Sequence, residues 1–154
     1  MGTNLLYRLE YLGLVGIFRL LELATAGRLP PFAAVCAVIE KDGQVLMIDR
    51  TDGMGRCLPG GLMKNRETPH EALQREVVEE TGFQVRVGRL IGVYSNPDSD
   101  PRFRCVLLAY QANITGGLPQ SSTEGRLLWQ DIYALPNNLA FDHNLVIDHY
   151  LSHG

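Results

Sequence analysis

The segment GLMKNRETPHEALQREVVEETGF, Gly61 to Phe83, limits what this chain can fold into more tightly than any other. Its middle reads as a helix from about Pro69 to Thr81, with both ends specified. Thr68 is placed to cap, Pro69 suits the first turn, Glu71 completes a Thr-x-x-Glu capping box, and Gly82 stops the helix. On such a helix Glu76, Glu79 and Glu80 fall three and four residues apart and share one face within an arc of about 100°. Leu73 and Val77 flank that face and anchor the helix into a sheet. Taken alone, these glutamates also suit a solvated surface helix, since Glu forms helices well. An exposed helix, however, usually sets Lys or Arg four residues after its acids, and Glu80, Phe83 and Gln84 stand there instead. Converging carboxylates raise one another's pKa unless a counter-charge offsets them. The chemistry points to a hard divalent cation with oxygen ligands, Mg2+ or Mn2+, with backbone at Gly60-Gly61 close enough for a carbonyl to join. Such sites generally handle phosphate.

The rest of the chain supplies a frame for that helix. FAAVCAVIE (Phe32–Glu40) and QVLMID (Gln44–Asp49) read as strands around Lys41-Asp42-Gly43, where Asp-Gly is a hairpin signal. Arg50–Gly61 reads as a loop. Strands are expected over Gln84–Tyr94, Phe103–Ala112 and Leu127–Gln130, with a loop at Asn113–Gly125 and a last helix over about Leu139–Leu151. Strand pairs with helices inserted between them predict an α/β fold whose mixed sheet is covered on both faces.

The first 31 residues read as an addition to a domain spanning 32–154. Leu5–Ala24 is a helical, mostly apolar segment interrupted by Arg8, Glu10, Arg19 and Glu22, too broken for a membrane span of about 20 apolar residues. It is expected to bury itself broadly against the domain or against a second subunit, giving a homodimer, in preference to lying on a membrane. Pro30-Pro31 then makes a stiff entry into the domain. With 14 Lys and Arg against 17 Asp and Glu, a net charge of −3 and no basic run, the chain is a poor match to nucleic acid. Cys36, Cys57 and Cys105 are widely spaced and lack a CxxC pair, which suits a reducing, cytoplasmic setting.

The acidic helix also belongs to a longer pattern, the Nudix box G-x5-E-x7-R-E-U-x-E-E-x-G-U, with U a bulky apolar residue. Gly61, Glu67, Arg75, Glu76, Val77, Glu79, Glu80, Gly82 and Phe83 match every defined position. A chance match has odds on the order of one in ten million at average residue usage. The chain therefore resembles a Nudix hydrolase over about Phe32–Leu151. The resemblance implies a Nudix-type α/β/α sandwich around a mixed sheet, and Mg2+- or Mn2+-dependent cleavage of a diphosphate linked to a nucleoside or similar group. It implies Glu79 and Glu80 as principal metal ligands, Glu76 as a ligand or the base for water, and a backbone ligand near Gly60. It further implies that Arg75 orients a box carboxylate and that Glu67 braces the loop, with Gly61 and Gly82 serving the motif's shape.

Outside the box the resemblance marks Arg50 as a basic phosphate contact and Glu124 as a further metal ligand or base before the last strand. Asn96–Arg104 (NPDSDPRFR) and LAFDH (Leu139–His143) loosely resemble Nudix enzymes acting on ADP-ribose and related compounds, with Arg102 and Arg104 as phosphate contacts. The four histidines assemble no site, and Trp129 and Phe141 read as core. The expected substrate is a small nucleotide, ADP-ribose or a nucleotide sugar. A nucleoside triphosphate substrate and a Nudix-fold sensor that binds without cleaving are the alternatives.

Overall fold

The computed structural model describes residues 3–123 and 125–153. In chain order they form α1 (Thr3–Ala24), β1 (Phe32–Val38), β2 (Glu40–Lys41), β3 (Gln44–Arg50), β4 (Arg56–Cys57) and β5 (Gly60–Leu62). There follow α2 (Pro69–Thr81), β6 (Phe83–Tyr94), β7 (Cys105–Gly117), β8 (Gly125–Asp131), a 3-10 turn at Ala140–Asp142 and α3 (His143–Ser152).

The continuous apolar runs of β1 and β3 are explained by burial on both faces. Val35, Ala37 and Ile39, with Leu46 of β3 and Tyr110 and Ala112 of β7, pack against Ala72, Leu73 and Val77 of α2. Their alternates Cys36, Val38, Val45, Met47, Leu107 and Ala109 pack against Val146, Ile147 and Tyr150 of α3. Side chains alternate across a strand, so a strand between two helices must be apolar at every position. The expected α/β/α layering and mixed sheet are present. One sheet has the order β5-β1-β7-β6, with β1 and β7 parallel and the other pairs antiparallel. A second, antiparallel sheet is built on β3, which pairs with β2, β4 and β8.

Several expectations are corrected. The hairpin closes on Asp42-Gly43, but its ladder with β3 reaches only from Lys41 back to Ile39, whose carbonyl accepts the Leu46 N–H, while β1 pairs with β5 and β7. The Arg50–Gly61 segment is not all loop: it holds β4 and the start of β5, each paired to a partner distant in sequence. The Asn113–Gly125 loop begins only after Gly117, because β6 extends the ladder to the pair Phe83–Gly117. The last helix begins at His143, since Phe141 and Asp142 take left-handed conformations (φ 60° and 59°) that an α-helix cannot continue through. Over its described side chains α1 is not broadly buried against its own domain, and a single chain does not test burial against a second subunit. Ile17, Leu20, Leu21 and Leu23 are exposed, Leu23 at 79%, while Phe18 packs on the domain. No helix among the described residues is long and apolar enough to cross a membrane.

Candidate active site

The site is built on α2, whose position is set from both ends and one face. The Thr68 hydroxyl accepts the Glu71 N–H, and the Glu71 carboxylate accepts the Thr68 N–H at 2.8 Å, closing the capping box. Gly82 ends the helix in the left-handed region (φ 73°), where a side chain would collide with the Leu118 carbonyl. Ala72, Leu73 and Val77 are fully buried, which fixes the helix rotation and turns Glu76 and Glu80 toward β5. The Glu80 carboxylate, 4% exposed, accepts the Gly60 N–H at 2.8 Å. Glu76 lies against Gly61, where an added Cβ would fall 2.7 Å from its carboxylate. Gly60, at φ 153°, is pressed on the Val35 carbonyl and tolerates no side chain either.

Arg75 gathers the acids. Its Nε and Nη2 donate to the two oxygens of Glu67 at 2.6 and 2.8 Å, and Nη1 donates to Glu76 at 2.6 Å and to Glu79 at 3.2 Å. Nη2 also donates to the Leu62 carbonyl at 3.1 Å, tying the helix to β5. The Arg75 bonds, with the Lys64 N–H, hold the Glu67 carboxyl down at about 2, and the Glu67 bonds in turn push the guanidinium up. Lys64 Nζ lies 3.5 Å from Glu79, which is largely exposed. Glu76, Glu79 and Glu80 thus stand together around Arg75 and the Gly60-Gly61 backbone. Their all-oxygen donor chemistry fits a hard divalent cation. In this arrangement Glu76 and Glu79 close on Arg75, and no three acids, histidines or cysteines among the described residues form a ready ligand cluster.

A cavity of about 310 Å³ opens beside Gly60, Gly61 and Glu76, and its far wall carries Arg50, Arg102, Phe103 and Phe141. Arg50 leaves the end of β3 and makes a forked ion pair with Asp52, Nε donating at 3.0 Å. Arg102 makes the same fork with Asp100, at 2.9 and 2.7 Å. Burial would lower the Arg50 pKa, but the Asp52 bonds outweigh it and raise it; for Arg102 the Asp100 bond leads. Both guanidiniums lie over the Phe141 ring, 5.1 and 5.4 Å from its centroid. The Asn96 amide donates to Asp142 at 2.9 Å, joining the segment before β7 to the turn before α3.

The cavity's remaining walls are structural. His143 accepts the Leu58 N–H at Nδ1 (2.9 Å), and burial, with the nearby Arg50 charge, pushes it down to about 3, so the ring is neutral. All three cysteines line the cavity as free thiols. Burial raises Cys36, lifts Cys57 to about 12 and Cys105 to about 11, which leaves none of them a ready thiolate.

Of the residues singled out in the sequence, Glu67, Arg75, Glu76, Glu79, Glu80, Gly60 and Gly61 come together, and Arg50 and Arg102 line the same cavity as Gly60, Gly61 and Glu76. Arg104 is exposed and lies outside the cavity, bordering a groove beneath α1. Glu124 falls outside the described residues. Phe141, expected in the core, packs against the Ile48, Cys57 and Ala140 cluster and also lines the cavity. Sequence reasoning misses Asp52, and gives Asp100, Phe103 and Phe141 no individual role although they lie in the NPDSDPRFR and LAFDH segments.

The NUDIX domain family matches residues 29–150. The chain belongs to that family. The chain is 38% identical over 127 residues to an ADP-ribose pyrophosphatase of Methanocaldococcus jannaschii, covering 80% of this chain and 75% of that protein. It is 37% identical to a MutT-like protein of Streptomyces ambofaciens, covering 66% of this chain and 63% of the relative. Among solved structures, a UDP-X diphosphatase overlays with a TM-score of 0.71 at 24% identity, over 86% of this chain and 71% of the other. A bifunctional NMN adenylyltransferase/ADP ribose pyrophosphatase from Francisella tularensis overlays at 0.74 and 22% identity, over 93% of this chain and 46% of that one. As a NUDIX hydrolase, the protein is an enzyme acting on phosphoric anhydride bonds.

Proposed function

We propose that this NUDIX hydrolase cleaves the diphosphate of a nucleoside diphosphate whose second substituent is uncharged, ADP-ribose or a nucleotide sugar, with Mg2+ or Mn2+. Glu79 and Glu80 would hold the metal with Glu76 and backbone at Gly60, and the bound cation would offset charge on the diphosphate oxygens and acidify water. Glu76, lying at the cavity mouth against Gly61, is the acid placed to take a proton from attacking water if it is not itself a ligand. Arg75 orients Glu76 and Glu79 and keeps Glu67 ionised.

The observation that carries the substrate reading is the charge of the far wall. Arg50 and Arg102 are each already forked to an aspartate, so that wall is close to neutral while still rich in N–H donors and aromatic surface. A neutral polar sugar suits it; a third phosphate would need a cation that both aspartates have spoken for. The Methanocaldococcus jannaschii relative, named for ADP-ribose, supports the same choice. The test is product analysis by anion-exchange chromatography for ADP-ribose, UDP-glucose and dGTP with Mg2+ and with Mn2+. A diphosphate ester should exceed dGTP in kcat/KM by about tenfold or more, a discrimination of at least 1.4 kcal/mol. Preference for dGTP would overturn the reading.

A further inference from the structure

Of the far wall, only Arg50 stands on a sheet, at the end of β3. Arg102 and Phe103 belong to the irregular stretch between β6 and β7, which has no ladder of its own. Its fastenings include Asn96 to Asp142, the Asp100–Arg102 fork, and the Phe32 N–H bonded to the Arg104 carbonyl at 2.9 Å. A further fastening comes from outside the core. Phe18, on the appended helix α1, meets Phe32 at 5.4 Å and Phe103 at 5.5 Å between ring centroids, and Phe32 meets Phe103 at 5.0 Å. The three rings close a triangle of edge-on and tilted contacts, the arrangements aromatic pairs favour.

Phe103 has two sides. One borders the catalytic cavity; the other borders a groove under α1 lined by Val15, Phe18 and Arg19. Asp100 and Arg102 likewise border both spaces. The Arg102 guanidinium lies 5.1 Å from the Phe103 ring and 5.4 Å from the Phe141 ring, and Phe141 continues to Arg50. A continuous line of ring and guanidinium contacts therefore runs from α1 to both arginines of the far wall.

We infer that Phe18 is a positioning residue for the substrate site: α1 holds the 95–104 segment, and through it Phe103 and Arg102, in the position that receives the substrate. The inference rests on the substrate reading above for what Arg102 grips, and on the contacts alone for what Phe18 holds. It gives the appended helix a part in substrate binding that the box chemistry does not require. A helix that is only tethered by Phe18 would leave both the segment and the Michaelis constant unchanged on its removal.

The experiment uses the full chain as wild type, Phe18→Ala, Phe18→Leu and Phe18→Tyr. Amide hydrogen exchange is followed without substrate, and KM and kcat are measured for ADP-ribose with Mg2+. Phe18→Ala should speed exchange across 95–104 while leaving α2 protected. It should raise KM about three- to tenfold with kcat within about twofold, the scale of losing one or two aromatic contacts. Phe18→Leu should fall between, keeping the test available should the alanine variant not fold, and Phe18→Tyr should restore both readouts. Unchanged exchange over 95–104 would overturn the inference, as would faster exchange with wild-type KM or a KM rise that Phe18→Tyr leaves in place. A wild type inactive on both ADP-ribose and UDP-glucose would sink the substrate reading instead, and the exchange arm would still decide the role of Phe18.

Discussion

At the scale of single residues, Arg75 binds more of the site together than any carboxylate does. Its planar fork takes both oxygens of Glu67 while the remaining donors reach Glu76, Glu79 and the Leu62 carbonyl. A lysine carries the same charge but only one ammonium, and cannot hold three acids and a carbonyl in fixed directions. Arg75→Lys should therefore cut kcat/KM about 10- to 100-fold, the usual cost of losing a group that orients metal ligands, with secondary structure intact by circular dichroism. A variant within twofold of wild type would show that the acids keep their places without it. The box residues were legible because their meaning is local: a fixed spacing on one helix puts them on one face. Asp52 and Asp100 were not, since each matters only through a fork to an arginine two residues away in an irregular segment, which no periodicity marks. The core side of Phe141, against Ile48, Cys57 and Ala140, is what its residue type suggests; its cavity side is not. Its left-handed backbone and its two guanidinium neighbours come from segments far apart in sequence.

At the scale of elements, α2 was readable to its last residue, because caps, proline and glycine act within a turn of the helix end. The cap contributes measurably: Thr68→Ala removes one half of the capping box and should lower unfolding free energy by about 1 kcal/mol in a urea titration. Gly82→Ala should cost more in the same titration, since it adds a left-handed strain to a collision with the Leu118 carbonyl. Equal effects would mean that the helix end relaxes freely. The short strands were not readable. β4 and β5 are two and three residues long and exist only because β3 and β1 offer them partners, and the far end of β7 exists because β6 runs alongside. For α1 the apolar circumference suggested wide burial. Among the described side chains, contact with this chain's own domain runs through Phe18, while Ile17, Leu20 and Leu23 are exposed in the single chain.

At the scale of the whole molecule, the layers place two chemically different walls across one cavity. The first is acidic, local in sequence and carried by α2 with the Gly60-Gly61 turn into β5. The second is assembled from the end of β3, the segment before β7 and the turn before α3, and its two arginines are balanced by two aspartates. The first wall is carried by one local motif and the second by segments far apart in sequence, so the chemistry is more legible in the sequence than the ligand. The net charge of −3 conceals this division, because the acids of α2 are concentrated where a divalent cation would balance them.

On the proposed function, diphosphate cleavage depends on a metal that the box glutamates would hold. The most direct test is the turnover of ADP-ribose by Glu79→Gln and Glu80→Gln across a Mg2+ titration, with melting curves recorded alongside. Glutamine keeps the size of the side chain and an oxygen that can still accept the Gly60 N–H in place of Glu80, so the fold should persist. Both variants should lose on the order of a hundredfold or more in kcat and need more Mg2+ for what remains. Near-wild-type turnover at wild-type Mg2+ demand in both would contradict the account.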